Sequence, residues 1–227
     1  MNKDSLGDRM KRYEDVTRIK LTPRMPTIIR VDGRAFHTYT KSFNKPFDDR
    51  IEVAMNYAAE KLISEISGAQ LAYIQSDEIS VLINDYVRFD TQPWFKKNIQ
   101  KMVSVAASAA TIGFNSQIKH TKDAMFDARA FVLPIEEVCN YFIWRQKDCI
   151  RNSVSMLAQS VFSHKELQGK SRKEMMEMLI VANNPWGKLS ESRKFGRLRI
   201  CGQSIKDAPI FSDNRNVIND FLKRIDE

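Results

Sequence analysis

Between Thr27 and Leu133 the apolar residues change period in a fixed order: strand, helix, strand, strand, helix, strand. Thr27 to Asp32 (TIIRVD) is a short β-branched run stopped by Gly33. From Asp48 to about Ile66, the residues Ile51, Met55, Ala58, Leu62 and Ile66 recur at helical spacing, with Asp48 or Asp49 placed to cap the first turn. Gln70 to Gln75 (QLAYIQ) and Glu78 to Asn84 (EISVLIN) read as two strands joined at Ser76-Asp77, short polar residues suited to a tight turn. A helix rich in small residues follows from about Trp94 to Gly113, and Ala128 to Leu133 is a fourth strand ended by Pro134. This order is the split, ferredoxin-like βαββαβ arrangement. The predicted class is therefore α+β with an antiparallel sheet, the skeleton also of polymerase palms and nucleotide cyclases. Such a skeleton assigns no activity by itself.

Around this core the sequence predicts a short opening helix over Leu6 to Tyr13 and a mainly helical remainder: Ile135 to Phe162, Arg172 to Ala182 and Asn214 to Ile225. No long linker intervenes, so residues 1–227 are expected to form a single catalytic unit. Residues 5–134 would be the palm core and 135–227 an elaboration packed on it. A hydrophobic fraction of 43% is ample for a core and excludes wholesale disorder. No apolar run approaches the roughly 20 residues that span a bilayer, and the charged start MNKDSLGDRMKRYED lacks the apolar stretch of a secretory signal. A cytoplasmic protein without a membrane partner is expected. Cys139, Cys149 and Cys201 lack metal-ligand spacing, and His37, His120 and His164 are scattered, which argues against a zinc site or a disulfide framework. The net charge of +8 favours a polyanionic partner only if a phosphate-handling site exists to go with it.

Asp32 and Asp77 supply the candidate for such a site. Asp32 lies at the exit of the first strand and Asp77 at the entry to the third, and in a ferredoxin-like sheet these strands are antiparallel neighbours. The end of one then meets the beginning of the other, so both carboxylates can converge at one sheet edge. Magnesium typically takes one or two carboxylates, its remaining ligands being phosphates and water, and a pair of such ions can activate a hydroxyl and stabilise a leaving phosphate. Gly33, without a side chain, lets its carbonyl approach a metal or its amide a phosphate. Capping of two turns is the other reading of the two acids. Alternation directs Glu78 away from Asp77.

The same residues resemble a known family. Arg30-Val31-Asp32-Gly33-Arg34-Ala35-Phe36-His37 resembles the R-[ILV]-D-G-R-x-F-H motif of the tRNA(His) guanylyltransferases, and Lys45-Pro46-Phe47-Asp48 the K-P-x-D that follows it. Gln75-Ser76-Asp77-Glu78-Ile79-Ser80 is similar to Q-S-D-E-[YI]-S, Phe126-Asp127-Ala128-Arg129 to F-D-[GA]-R, and Trp144-Arg145-Gln146 with Asp148-Cys149 to W-R-Q-x-D-C. The blocks keep family order from about residue 5 to 162. The resemblance implies a palm that adds nucleotides to the 5′ end of tRNA in the 3′-to-5′ direction, using two Mg2+ ions, with GTP and ATP as substrates and a homotetrameric assembly. It implies metal binding by Asp32, the Gly33 carbonyl and Asp77, and nucleotide contacts by Asp32, Gly33, Arg34, Ala35, Phe36, His37, Ser76 and Asp77. Lys45, Lys101 and Arg129 correspond to basic positions near triphosphate, where ammonium and guanidinium groups stabilise phosphate charge. Lys101 reads equally as part of a solvated helix face, and strand alternation allows Arg129 either direction.

One block departs from the pattern. Where eukaryotic members resemble one another in H-I-N-N-L-Y-N, this chain reads Ile150-Arg151-Asn152-Ser153-Val154-Ser155-Met156. Isoleucine neither titrates nor donates a hydrogen bond, so the chain resembles more closely the bacterial and archaeal guanylyltransferase-like branch, which performs template-dependent 5′ repair of truncated tRNA. Arg151 and Asn152, and the basic segment carrying Arg193, Lys194 and Arg197 beside Phe195, are the expected RNA contacts, since RNA backbone is met by such residues and unpaired bases stack on aromatic rings. The competing readings are a nucleotide cyclase or forward polymerase on the same palm, and a noncatalytic RNA-binding protein.

Overall fold

A computed structural model describes residues 4–88 and 90–223. Its elements run α1 Leu6–Val16, β1 Thr27–Gly33, α2 Phe36–Tyr39, α3 Asp49–Glu65, β2 Ala69–Gln75, β3 Glu78–Ile83, α4 Ile99–Asn115, β4 Phe126–Val132, α5 Ile135–Val161, α6 His164–Leu167, α7 Arg172–Val181, α8 Glu191–Phe195, β5 Arg197–Ile200, β6 Lys206–Asp207 and α9 Asn216–Asn219. The strands form one antiparallel sheet in the order β4-β1-β3-β2-β5-β6. Its first four strands have the order expected of a ferredoxin-like palm.

Alternation along each strand divides the core into two layers. Ile29, Val31, Ile74, Ile79 and Val81 face α3 and α4, where they meet Met55, Leu62, Met102 and Phe114. Ile28, Leu71, Tyr73 and Leu82 face the other way, onto Val138 and Phe142 of α5 and Phe211 and Ile218 of the C-terminal segment. Arg30 and Asp32 share this second face with Ile28, because they follow it at intervals of two. Asp48 caps α3 by accepting from the Arg50 amide at 3.0 Å.

The structure departs from the sequence reading in three places. The C-terminal part is not only helical: β5 pairs with β2 and extends the sheet, so the palm and its elaboration share one sheet. The helix expected from Trp94 begins only at Ile99. Phe95, Lys96 and Lys97 take left-handed backbone angles, and the Lys97 ammonium turns inward to Asp85 (3.1 Å), the Met25 carbonyl and Thr27. The helix expected from Asn214 to Ile225 is reduced to α9 and a 3-10 turn over Asp220–Leu222; Arg224 and Ile225 lie outside the described residues.

Candidate active site

Antiparallel pairing of β1 with β3 sets Asp32 opposite Glu78, one residue from Asp77. The Gly33 amide donates to the Asp77 carbonyl at 3.1 Å, which ties the end of β1 to the β2–β3 turn. The two acids are thus brought to one edge by backbone pairing. Ser76 enters that turn with φ +46°, and Ala35, just past β1, has φ +53°. Left-handed angles at non-glycine residues are costly and gather where the surrounding structure fixes a site. Gly33 is required sterically: a Cβ there would fall 2.2 Å from the Phe36 ring. Phe36 in turn packs on Phe114 and Phe126, so the loop after β1 is anchored in the core.

Burial and the nearby Asp32 charge push the Asp77 carboxyl up to about 6. Burial also raises Asp32, with Asp127 of β4 adding to the effect and Arg30 and Arg145 opposing it. Asp127 stands opposite Asp32 in the β1–β4 register, a third acid at this edge that the sequence reading did not single out. Glu78 is committed elsewhere. Arg145 donates to both of its oxygens, at 2.8 and 2.7 Å, and the pair is buried. Among the described residues no three His, Cys, Asp or Glu side chains converge on a metal position. Two carboxylates at one edge, one of them raised by the other's charge, beside the carbonyl of a glycine, suit an oxygen-seeking cation completed by substrate phosphates, as magnesium is; they do not suit zinc.

Beside the acidic edge opens a cavity of about 540 Å³. Its walls come from the loop after β1, the N-terminal half of α3, the β2–β3 turn, the C-terminal half of α5, and α8 with β5. Of the residues expected to contact nucleotide, Gly33, Ala35, Phe36, His37, Lys45, Ser76 and Asp77 line it. Phe43 and Phe47 supply aromatic surface, while Asn44, Asp48, Glu52 and Gln75 supply polar groups. Gln75 Oε1 and Arg197 Nε are buried without hydrogen-bond partners, polar atoms available to an occupant. Asp48 shapes the rim: it accepts from the Asn44 amide and from Arg50, which holds its carboxyl well below the usual carboxylate range.

Asn152, Arg193 and Arg197, expected at an RNA surface, line this same cavity. Arg193 donates to Glu52 (2.7 Å) and Asp49 (2.5 Å) and lies over the Phe47 ring; Arg197 is buried and pairs with Glu52 at 3.4 Å. Lys194 is buried against Glu191. At 193–197 these cations are drawn inward by acids of α3 and α8. Arg151 remains exposed, paired with Asp148. Arg34 is exposed outside the cavity lining, its amide donating to the Met125 carbonyl. Arg129 is exposed on β4, on the face that carries Asp32, 3.8 Å from Asp127.

Lys101 is placed far from the acids within this chain. It follows Asn98 on the first turn of α4, beside the Lys97 that reaches Thr27. Thr27 starts the strand that ends at Asp32, five residues and roughly 17 Å away at about 3.4 Å per residue. Its ammonium lies over the Phe95 ring.

Comparison with known proteins identifies a family. A sequence model of the family described as "Thg1: tRNAHis guanylyltransferase" matches residues 7–134. The chain belongs to this family. It is 34% identical over 146 residues to the tRNA(His) guanylyltransferase of Debaryomyces hansenii, covering 59% of this chain and 53% of that protein. It thus spans about half the length of that curated guanylyltransferase. A mimivirus protein of unassigned function is 27% identical over 85% of this chain and 76% of its own length. Among solved structures, a bacterial guanylyltransferase-like protein in complex with ATP is 46% identical, covers 96% of this chain and 99% of that one, and superposes with a TM-score of 0.93. A bacterial guanylyltransferase-like protein in complex with GTP is 44% identical, covers the same shares of both chains, and has a TM-score of 0.85.

Proposed function

We propose that this chain adds nucleotides to the 5′ end of tRNA in the 3′-to-5′ direction, choosing them by pairing with the opposing base of the acceptor stem. The observation that carries the reading is the β1–β3 register, which sets Asp32 and Asp77 at one edge beside a nucleotide-sized cavity. The ATP and GTP held by the bacterial relatives support a nucleoside triphosphate as its occupant. Phe43 and Phe47 offer apolar surface to a base, and Lys45 and Arg193 offer positive charge to phosphates. In the transfer, a ribose 3′ hydroxyl attacks the activated 5′ phosphate of the tRNA. A new P–O bond forms as the bond to the activating group breaks, releasing pyrophosphate from a 5′-triphosphate end or AMP from an adenylylated one, and the hydroxyl proton passes to solvent. Two Mg2+ ions held by Asp32, Asp77 and the Gly33 carbonyl would supply Lewis-acid stabilisation of phosphate charge. The chain's part is to hold the acids at the edge, bind the triphosphate and align the two ends.

Ile150 supports template pairing over a dedicated histidine-tRNA mechanism, since it offers no polar group where eukaryotic members carry histidine. Among the described residues no helix is long and apolar enough to cross a membrane, and the reading keeps a cytoplasmic setting. It also keeps a homotetramer: α1 buries none of its residues and exposes Leu6, Tyr13 and Val16, an apolar face suited to a subunit contact. The test is incubation with labelled triphosphate, magnesium and a tRNA lacking its first nucleotide. Extension at the 5′ end supports the proposal. A cyclic product would mark a cyclase, and binding without turnover a noncatalytic protein.

A further inference from the structure

Within the block Trp144-Arg145-Gln146-Lys147-Asp148-Cys149, the structure gives interior work to most members. Arg145 holds Glu78. Gln146 donates to the Phe195 and Pro209 carbonyls and accepts from the Phe211 amide, fastening the C-terminal segment. Asp148 braces Arg145 at 2.9 Å, and Cys149 lines the cavity. Trp144 does none of this. It is 54% exposed, whereas Trp94 is buried and Trp186 half-buried.

The exposed ring is nevertheless held in place. The Arg145 guanidinium lies 4.5 Å from its centroid, and the Tyr141 ring 5.9 Å away. Tyr141 is fixed by a 2.8 Å hydrogen bond to Ser80 and by contact with Phe131 of β4. Position follows from topology. β4 runs away from the acidic edge, from Phe126 opposite Gly33 to Val132 opposite Thr27, and α5 returns toward that edge, where Cys149 and Asn152 line the cavity. Moving from Tyr141 to Trp144 along α5 is therefore movement toward Asp32. Moving from Phe131 to Arg129 along β4 is movement in the same direction on the same face. Trp144 and the exposed Arg129 thus flank one approach to Asp32, along the outer edge strand β4. Neither residue lines the nucleotide cavity.

Nucleotidyl transfer joins two substrates at one metal edge, so the edge needs a second approach besides the cavity. We infer that Trp144 is a stacking platform for an unpaired base at the end of the tRNA acceptor stem, with Arg129 meeting the adjacent phosphate. The inference rests on the tRNA reading above. Its chemistry is general: aromatic rings hold splayed or terminal bases of RNA, and each such stack strengthens binding roughly 5- to 150-fold. Preorientation by Arg145 and Tyr141 means little ordering is left for the moment of binding.

The experiment compares wild type, Trp144→Ala and Trp144→Phe, each checked for folding by circular dichroism. Direct binding of 5′-truncated tRNA, steady-state KM for that tRNA, and KM for the triphosphate are measured on all three. Trp144→Ala is expected to weaken tRNA binding and raise its KM about tenfold or more, with triphosphate KM unchanged, and Trp144→Phe to restore most of the loss. The tryptophan emission change on adding tRNA should disappear in Trp144→Phe, although Trp94 and Trp186 remain. Unchanged tRNA affinity in folded Trp144→Ala would overturn the inference. So would a fall in kcat alone at saturating tRNA, which would mark a role through Arg145 only. Failure of the wild type to extend any tRNA would count against the proposed function, while the binding and emission arms would still decide the stacking role.

Discussion

Replacing Asp77 by Asn removes a charge that the fold holds at a cost. Burial and the neighbouring Asp32 charge raise its carboxyl from an ordinary 3.8 to about 6. A folded-state value above the unfolded one means that the protonated side chain favours the native state. That contribution is complete below about pH 4 and is lost as pH rises through about 6. Above pH 7 the ionised Asp77 therefore destabilises the metal-free fold by roughly 3 kcal/mol, at about 1.36 kcal/mol per pH unit. For a chain of this size that corresponds to a melting temperature lower by roughly 6–12 °C. Asn has nearly the same shape and no charge. In EDTA, Asp77→Asn should melt above wild type at pH 7.5, and the difference should shrink toward zero near pH 4. Magnesium should raise wild type more than the variant, since an ion that binds only the native state stabilises it. Thermal melts across pH 4–8, with and without magnesium, provide the assay. A variant no more stable than wild type at pH 7.5 in EDTA would refute the reasoning.

Three further outcomes follow from the same geometry. Asp32→Ala and Asp77→Ala should each reduce nucleotide transfer to near background in folded protein, and the double variant should lose little more, because the two act as a unit; single-turnover rates give the comparison. Arg145→Ala leaves the buried Glu78 carboxylate with only Arg30 at 3.9 Å and the hydrogen bonds from Gln75 and Ser80, and should destabilise the protein by about 3 kcal/mol in denaturant unfolding, whereas Arg151→Ala, at an exposed pair, should cost about 1 kcal/mol or less. Arg193→Ala should weaken triphosphate binding measured by calorimetry more than it weakens tRNA binding, since Arg193 lines the cavity; the opposite order would return it to an RNA surface.

The palm was legible because its strands and helices carry strong local patterns. TIIRVD and EISVLIN alternate or run apolar between clear turn residues, and the order of elements then brings Asp32 and Asp77 to one edge without any tertiary information. What was hidden depends on distant partners. Arg197-Leu198-Arg199-Ile200 alternates as a strand should, yet its arginines read as surface charge. Their acids, Glu52 and Glu60, lie on α3 more than a hundred residues earlier. The position of Lys101 was hidden for a related reason. Sequence identifies the helix that carries it but not the sheet end at which that helix begins, and the inward turn of Lys97 to Asp85 fixes that end. Asn152 was expected at an RNA contact, and the packing of α5 against β2 and α8 sets it in the cavity wall. Asp127 lacked a signal other than its place in the F-D-[GA]-R block; the β1–β4 register sets it opposite Asp32.

Template-directed 5′ addition is the central claim, and a panel of 5′-truncated tRNAs tests it most directly. The panel varies the anticodon in one set and the acceptor-stem base opposite the missing nucleotide in another, with all four triphosphates and magnesium present. The account predicts extension at the 5′ end irrespective of anticodon, with the added nucleotide changing to pair with each new opposing base. Addition of G alone to histidine tRNA, whatever base stands opposite, would contradict it.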